Sequence, residues 1–340
     1  MDINNRIDEI FDELVEIRRD FHKNPELSQN EFRTQGKIRE YLNKWGIENH
    51  ICAETGVVGI IRGKRPGKTI GIRGDIDALP ILEQSKASYC SVNPGVMHAC
   101  GHDAHTTVVL GAGKIIKELA DSEESINGNV KLFFQPAEET IGGGDRMVKE
   151  GCMENPMVDY VLGLHVMPYL EAGMVELKYG KLNASTDSIN ITLKGKSSHG
   201  AYPDKGIDAI AMAGNVITAL QTIVSRNTSP LNSVVISLGK ISGGAKENII
   251  ADEVQITGTL RTLDDETRKY TKDRVSSIVH NVAAAFGGEG ITRFYDGYQA
   301  LINDDEVVDV IKENAEKLLG KENVVFKEFP SLGAEEHTAT

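Results

Sequence analysis

The order of helical and extended segments is the feature that most constrains the fold of this chain. Two helical patterns come first, from Ile3 to Phe21 and from about Glu31 to Trp45. Helical and strand patterns then alternate over residues 104–120, 130–134, 145–151 and 160–165. Such alternation predicts an α/β domain in which helices cover a mostly parallel sheet.

Two further strand patterns, Gly56–Arg62 and Thr69–Gly74, precede this alternation. The segment Arg65-Pro66-Gly67-Lys68 separates them, and a Pro-Gly pair between two extended segments is a strong turn signal. We therefore expect these two strands to pair as a hairpin.

The pattern changes at about Ser185. Residues 187–194 alternate polar and apolar side chains, which is typical of a strand in a sheet with one solvated face. A β-α-β-β-α-β order follows up to about Tyr295, and it predicts an inserted α+β, ferredoxin-like domain over residues 185–291. A helix from about Asn303 and a strand near 323–327 indicate that the chain then returns, so that residues 1–184 and 292–340 form one domain.

Composition excludes several classes of protein. A length of 340 residues favours two domains, and 40% hydrophobic with 26% charged residues is an ordinary globular balance. The net charge of −13 argues against a nucleic-acid partner. The acidic first 16 residues and the lack of an apolar run near 20 residues predict a cytoplasmic protein without a membrane partner. Four cysteines are too few for a disulfide scaffold.

The segment from Met97 to Thr106 places a thiol and three imidazoles just before a predicted helix. Cys100 and His102, in a Cys-x-His arrangement, suit zinc and its divalent neighbours as ligands. The alternative is structural, with Cys100 packed as a small apolar side chain and the histidines capping the helix.

A second element, Leu132 to Thr140, places two adjacent carboxylates after an apolar strand. If Glu139 binds a metal ion, Glu138 can act as the base that removes a proton from water. The alternative is an acidic loop in an acidic protein.

Further candidate residues follow predicted strands, where ligands collect in parallel-sheet proteins. His165 ends a predicted buried strand and is a candidate ligand. The alternative interpretation is that it is a hydrogen-bonded histidine of the core. Asp75 and Asp77 are candidate partners for the second ring nitrogen of His102, because metal-bound histidines usually donate that nitrogen to a carboxylate. The alternative interpretation of Asp75 is that it is an exposed charged residue in a surface loop.

Together these elements resemble a known family, the metal-dependent amidohydrolases and exopeptidases that include aminoacylase, hippurate hydrolase, N-acetyldiaminopimelate deacetylase and the auxin-conjugate hydrolases. The chain is similar to the subgroup with a cysteine in the metal site. The matching segments span nearly the whole chain in order: Arg18–His22, Asn24–Glu26, Gly71–Pro80, Met97–Thr106, Phe134–Glu139, His165, Ser198–Pro203 and Gly258–Thr262.

The resemblance implies two divalent ions per subunit, with zinc, manganese, cobalt and nickel all acceptable to such ligands. Its implied roles are metal ligation by Cys100, His102, Glu139 and His165, with the thiolate bridging, and base catalysis by Glu138. The insert would be a lid that also forms a homodimer. His199 would then stabilise the oxyanion in the partner's active site, and Asn248 and Arg261 would hold the substrate carboxylate.

The function implied is hydrolysis of the amide bond of small N-acyl amino acids. A dipeptidase or carboxypeptidase-type exopeptidase is one alternative, and an inactive metal-binding fragment is another. The second arises because such proteins usually continue for some tens of residues past a segment like Gly333-Ala334-Glu335 and supply another histidine ligand there. We therefore expect a C-terminally truncated chain with reduced or absent activity, since His337 comes too early to replace that ligand.

Overall fold

The structure is a computed structural model that describes residues 2–123, 125–140 and 142–333. It divides into two compact units, one up to Tyr169 and one from Leu170 onward. His337 lies outside the described residues. Over the described ranges, every helix is too short or too polar to cross a bilayer.

Over its described residues, the first unit combines four helices with one five-stranded sheet. Asp2 caps the first helix by accepting hydrogen bonds from the backbone N–H groups of Asn4 and Asn5. The helices are α1 Ile3–Lys23, α2 Phe32–Lys44, α3 His102–Asp121 and α4 Gly143–Lys149. The strands are β1 Glu48–Cys52, β2 Gly56–Arg62, β3 Arg65–Asp75, β4 Asn127–Gln135 and β5 Tyr160–Gly163.

The sheet has the strand order β1-β2-β4-β3-β5 and is mixed. Strands β3, β4 and β5 run parallel, whereas β1 and β2 are antiparallel to their neighbours. The α/β class is confirmed, but the predicted hairpin is wrong because β4 lies between β2 and β3. Residues 56–61 of β2 are all buried, so this strand needs a neighbour on each edge, and β4, buried over residues 131–135, supplies the second one.

Alternate side chains of β4 enter two apolar cores, one on each face of the sheet. Leu132 and Phe134 pack in the core that α1, α2 and α3 cover. Phe133 points to the other face, where it packs with Met147 of α4. Because β4 is a central strand with side chains buried on both faces, its sequence does not alternate polar and apolar residues, and even Lys131 is buried.

The second unit contains the four-stranded antiparallel sheet expected for residues 185–291, with strand order β10-β12-β8-β13 and two helices. Its β-α-β-β-α-β order confirms the ferredoxin-like topology. The strands are β6 Val175–Leu177, β7 Gly180–Asn183, β8 Ser185–Lys194, β9 Ser198–His199, β10 Val234–Gly243, β11 Ile249–Ile250, β12 Glu253–Thr262, β13 Glu289–Asp296, β14 Leu301–Asn303 and β15 Val324–Phe326. The helices are α5 Ala209–Thr222, α6 Asp265–Ala285 and α7 Asp305–Leu319.

The segments on either side of this insert pair with each other. Strand β14 pairs with β7, and β15 pairs in parallel with β6. Where an insert interrupts a domain, the segments before and after the insert must meet again, as these strands do. The domain boundaries at residues 184 and 292 remain a prediction.

The buried position of Leu132 gives a test of this core. Leu132→Ala should lower the free energy of unfolding of the first unit by about 3 kcal/mol, because it leaves a cavity in a fully buried site. Denaturant titration followed by the fluorescence of Trp45, the single tryptophan of the chain, reports on this unit. Leu82→Ala is the matched control at a position 65% exposed, and it should cost less than about 0.5 kcal/mol.

Candidate metal centre

Three parallel strands end at one edge of the sheet and deliver polar residues there. Asp75 ends β3, Glu138 follows β4 by three residues, and His165 follows β5 by two. Cys100 and His102 reach the same edge differently, through the long connection between β3 and α3. Strand β5 is also a half-buried edge strand and not the buried strand predicted before His165.

A glycine turn brings Cys100 and His102 to one point. Gly101 has φ +87°, a left-handed conformation that glycine adopts without a steric penalty. A Cβ atom at this position would lie 2.3 Å from Cγ2 of Val166. The turn places the Cys100 sulfur 3.2 Å from Nε2 of His165. The candidate donor atoms of Cys100, His102 and His165 all lie within 4.8 Å of one another.

The two carboxylates approach the same imidazole. Donor atoms of Glu138, Glu139 and His102 also lie within 4.8 Å of one another. Glu138 is 7% exposed, and Oε1 of Glu139 is 3.9 Å from Nε2 of His102. Burial raises the pKa of the Glu139 carboxyl, against the favourable charge of His102. The structure thus brings together five residues that the sequence analysis selected.

These residues fit a divalent cation. Nε2 of His102 and Oε1 of Glu139 are buried without a hydrogen-bond partner among the described residues. Buried polar atoms without partners are costly, and a cation between them would satisfy both. Sulfur, imidazole and carboxylate donors together are typical of zinc and its divalent neighbours.

Asp77 orients His102. Nδ1 of His102 donates toward the Asp77 backbone oxygen at 3.0 Å and its carboxylate Oδ1 at 3.2 Å, which directs Nε2 toward the other donors. Burial opposes a charged imidazole, but the hydrogen bond to Asp77 and the nearby Cys100 and Asp75 side chains raise the pKa of His102 to about 11. The other carboxylate oxygen of Asp77 accepts from the Ser28 hydroxyl at 2.7 Å and the Glu139 backbone N–H at 3.0 Å.

Asp75 acts on a different histidine. Its carboxylate is fully buried, so it is not a surface loop charge. Oδ1 lies 2.6 Å from Nδ1 of His105, and Oδ2 lies 2.8 Å from the Arg73 guanidinium. Although burial favours the neutral acid, Arg73 and His105 hold the pKa of Asp75 well below its usual range.

His105 is a residue to which the sequence analysis assigned no role. Its Nε2 accepts a hydrogen bond of 2.9 Å from the backbone N–H of Val166, so Nδ1 carries the proton donated to Asp75. His105 therefore connects β3 to the residue next to His165. The available signal was its position three residues after His102, on the same face of α3.

A buried ionic network holds the beginning of α3. Asp103 is fully buried and accepts from Nε of Arg18 at 2.6 Å and from Nδ1 of His22 at 2.9 Å. Nε2 of His22 lies 3.2 Å from Glu83 in the connection before α3. A carboxylate in the first turn of a helix is also favoured by the helix dipole. This network gives a structural role to the Arg18–His22 segment. The sequence analysis matched that segment to the family without assigning it a role.

The three remaining site candidates lie in the second unit. His199 on β9 is exposed and pairs with Ile249 of β11, and Asn248 directly precedes that strand. The Asn248 backbone oxygen accepts from Gly200 at 2.8 Å, so His199 and Asn248 are neighbours. Arg261 lies apart from this ladder on β12, with Nη1 buried and without a hydrogen-bond partner among the described residues.

Known proteins share this arrangement of elements. The pattern of Peptidase family M20/M25/M40 matches residues 71–339. The chain belongs to this family. The resemblance stated above is thereby confirmed, as are its α/β metal-hydrolase fold and its class as an enzyme that acts on amide bonds.

Several relatives in this family have named activities. The N-acetyl-L-cysteine deacetylase of Bacillus subtilis is 41% identical over 306 residues, covering 90% of this chain and 72% of the relative. The hippurate hydrolase of Campylobacter jejuni is 39% identical, with 98% and 86% covered. Thermostable carboxypeptidase 2 of Saccharolobus solfataricus is 38% identical, with 98% and 84% covered.

A solved structure supports the metal centre. A dinuclear metal-binding peptidase of the M20 family from Bacillus subtilis superposes with a TM-score of 0.83 at 33% identity. The comparison covers 97% of this chain and 85% of the other. Together with the converging donors, this likeness supports a site for divalent metal ions in the present protein.

The His22 network predicts a pH-dependent stability. The hydrogen bond to Asp103 raises the pKa of His22 above its ordinary 6.5, despite burial. The stabilisation that protonated His22 gives to the folded state is therefore complete below pH 6.5. It is lost as the pH rises through the higher pKa of His22 in the folded protein. His22→Gln should lower the thermal midpoint more at pH 6 than at pH 9, as measured by Trp45 fluorescence. An equal loss at both pH values would contradict this, and His50→Gln, at an exposed position of β1, is the control.

Proposed function

We propose that this chain is a metal-dependent amidohydrolase that cleaves the amide bond of small N-acyl amino acids. The observation that carries the proposal is the convergence of a thiol, imidazoles and two adjacent carboxylates at one edge of the first unit's sheet. Relatives named as a hippurate hydrolase and an N-acetyl-L-cysteine deacetylase support this substrate class.

The proposed metal ligands are Cys100, His102, Glu139 and His165, which would together hold two divalent ions. Zinc, manganese, cobalt and nickel all accept this mixture of sulfur, nitrogen and oxygen donors. When bound, such ions polarise an amide carbonyl and lower the pKa of water at the site. Asp77 orients His102 for this role, and Asp75 acts through His105 on the backbone beside His165.

Glu138 is the proposed general base. Its carboxylate is almost fully buried beside His102, where it can accept a proton from the attacking water and later pass it to the leaving amine nitrogen. One water is consumed, the C–N bond breaks, and a carboxylic acid and an amine are released.

The second unit supplies the remaining proposed roles. The insert of residues 185–291 acts as a lid and as the interface of a homodimer. His199 of one protomer stabilises the oxyanion at its partner's site, which its exposed position on β9 supports. Asn248 and Arg261 bind the substrate carboxylate. A cytoplasmic location and the absence of nucleic-acid and membrane partners remain predictions from the sequence.

Glu138→Gln tests the base directly. The amide keeps the size of the side chain but cannot take a proton, so turnover of hippurate should fall at least about 100-fold while bound metal stays unchanged. Steady-state kinetics and metal analysis of the purified chain measure the two effects. Glu154→Gln, an exposed position, is the control and should change neither. Retained turnover in Glu138→Gln would show that another group is the base.

A carboxypeptidase-type exopeptidase is the second candidate function, because one relative is named as a carboxypeptidase. N-acetylmethionine and glycylmethionine release the same amino acid and differ by a single charged amine on the acyl side. An amidohydrolase should favour N-acetylmethionine at least about tenfold in kcat/KM, because its acyl pocket would bury the ammonium group of glycylmethionine without a partner. The opposite preference would establish the exopeptidase.

A further inference from the structure

The connection between α1 and α2 contains a buried acid, Glu31, that contacts the loop of the two carboxylates. Glu31 has no exposed surface. Its Oε1 accepts a hydrogen bond of 2.8 Å from the backbone N–H of Ala137, and its Oε2 accepts one of 2.7 Å from the Thr55 hydroxyl. A buried carboxylate is costly unless both oxygens are bonded, so these contacts define the position of the side chain.

Ala137 has a strained backbone. Its φ of +52° lies in the left-handed region, which is sterically unfavourable for a residue with a Cβ atom. Such a conformation persists only where the surroundings impose it. Ala137 is 1% exposed and directly precedes Glu138, so its φ and ψ determine where the Glu138 side chain begins.

Close packing limits where this loop can lie. A Cβ atom at Gly56 would lie 2.7 Å from Cδ of Pro136, and one at Gly143 would lie 1.8 Å from the Pro136 backbone oxygen. Pro136 has no N–H group, so the Ala137 N–H is the first backbone donor after β4 and Glu31 is its acceptor.

The same connection also reaches the following residue. The Ser28 hydroxyl donates to Asp77, whose same oxygen accepts the backbone N–H of Glu139. The backbone N–H groups of Ala137 and Glu139, the residues on either side of Glu138, are therefore tied to the connection between α1 and α2, one directly through Glu31 and one through Asp77.

We propose that Glu31 is a positioning residue, whose carboxylate holds Ala137 in the left-handed conformation and so directs Glu138 toward His102. The proposal rests on the proposed role of Glu138 as the base. The carboxylate of Glu31 bonds Ala137 and Thr55, so it acts on Glu138 through the backbone and not by touching the reacting atoms.

The test compares Glu31→Ala with Glu31→Gln. The glutamine oxygen can accept from Ala137 while its amide group donates to Thr55, so Gln should restore what Ala removes. Gln35→Ala is the matched control, because Gln35 is a buried residue of α2 that bonds the Glu54 backbone oxygen at 2.8 Å and not Ala137. Hydrogen exchange of the Ala137 amide in chelator-treated protein gives a readout that needs neither metal nor activity.

We expect Glu31→Ala to speed exchange of the Ala137 amide at least about tenfold and to lower kcat about 100-fold, with KM changed little. Glu31→Gln and Gln35→Ala should keep both values within about threefold of wild type. Unchanged amide protection in Glu31→Ala, or a Gln variant as impaired as the Ala variant, would overturn the proposal. The base assignment is judged separately by Glu138→Gln, whose turnover does not depend on this outcome.

Discussion

The Asp77 carboxylate is the interaction on which the rest of the site depends. One oxygen orients His102, and the other accepts from Ser28 and from the backbone of Glu139. A single buried group therefore joins three separate parts of the chain: the connection after α1, the start of α3 and the loop after β4. Because Asp77 is 1% exposed, the loss of any one partner leaves a buried carboxylate oxygen with one hydrogen bond fewer.

The electrostatics of the centre follow from this crowding of charges. Asp75 and Asp77 lie beside His102 and His105, and Arg73 offsets one of the buried negative charges. The carboxylates remain ionised although burial opposes it, since the neighbouring cations outweigh that penalty. A divalent cation between these groups would likewise offset their negative charge.

Much of the fold was predictable from local patterns. The helices, the strands near 130–134 and 187–194, and the β-α-β-β-α-β insert all occur where periodicity placed them. The hairpin prediction failed because strand pairing depends on which distant segment is buried beside β2, and turn residues do not encode that. The spacing of His105 from His102 was its only signal and Glu31 gave none, since their roles lie in hydrogen bonds to the backbones of Val166 and Ala137.

The sequence by itself determined the chemical groups of the site, because thiol, imidazole and carboxylate side chains are properties of single residues and their short spacings are visible in the chain. It also determined the periodicity that separates the α/β part from the inserted sheet. Only the tertiary structure decided which aspartate serves which histidine and which buried acid holds the loop of Glu138. Those pairings join residues 25 to 106 positions apart, and distances of that kind are set by packing.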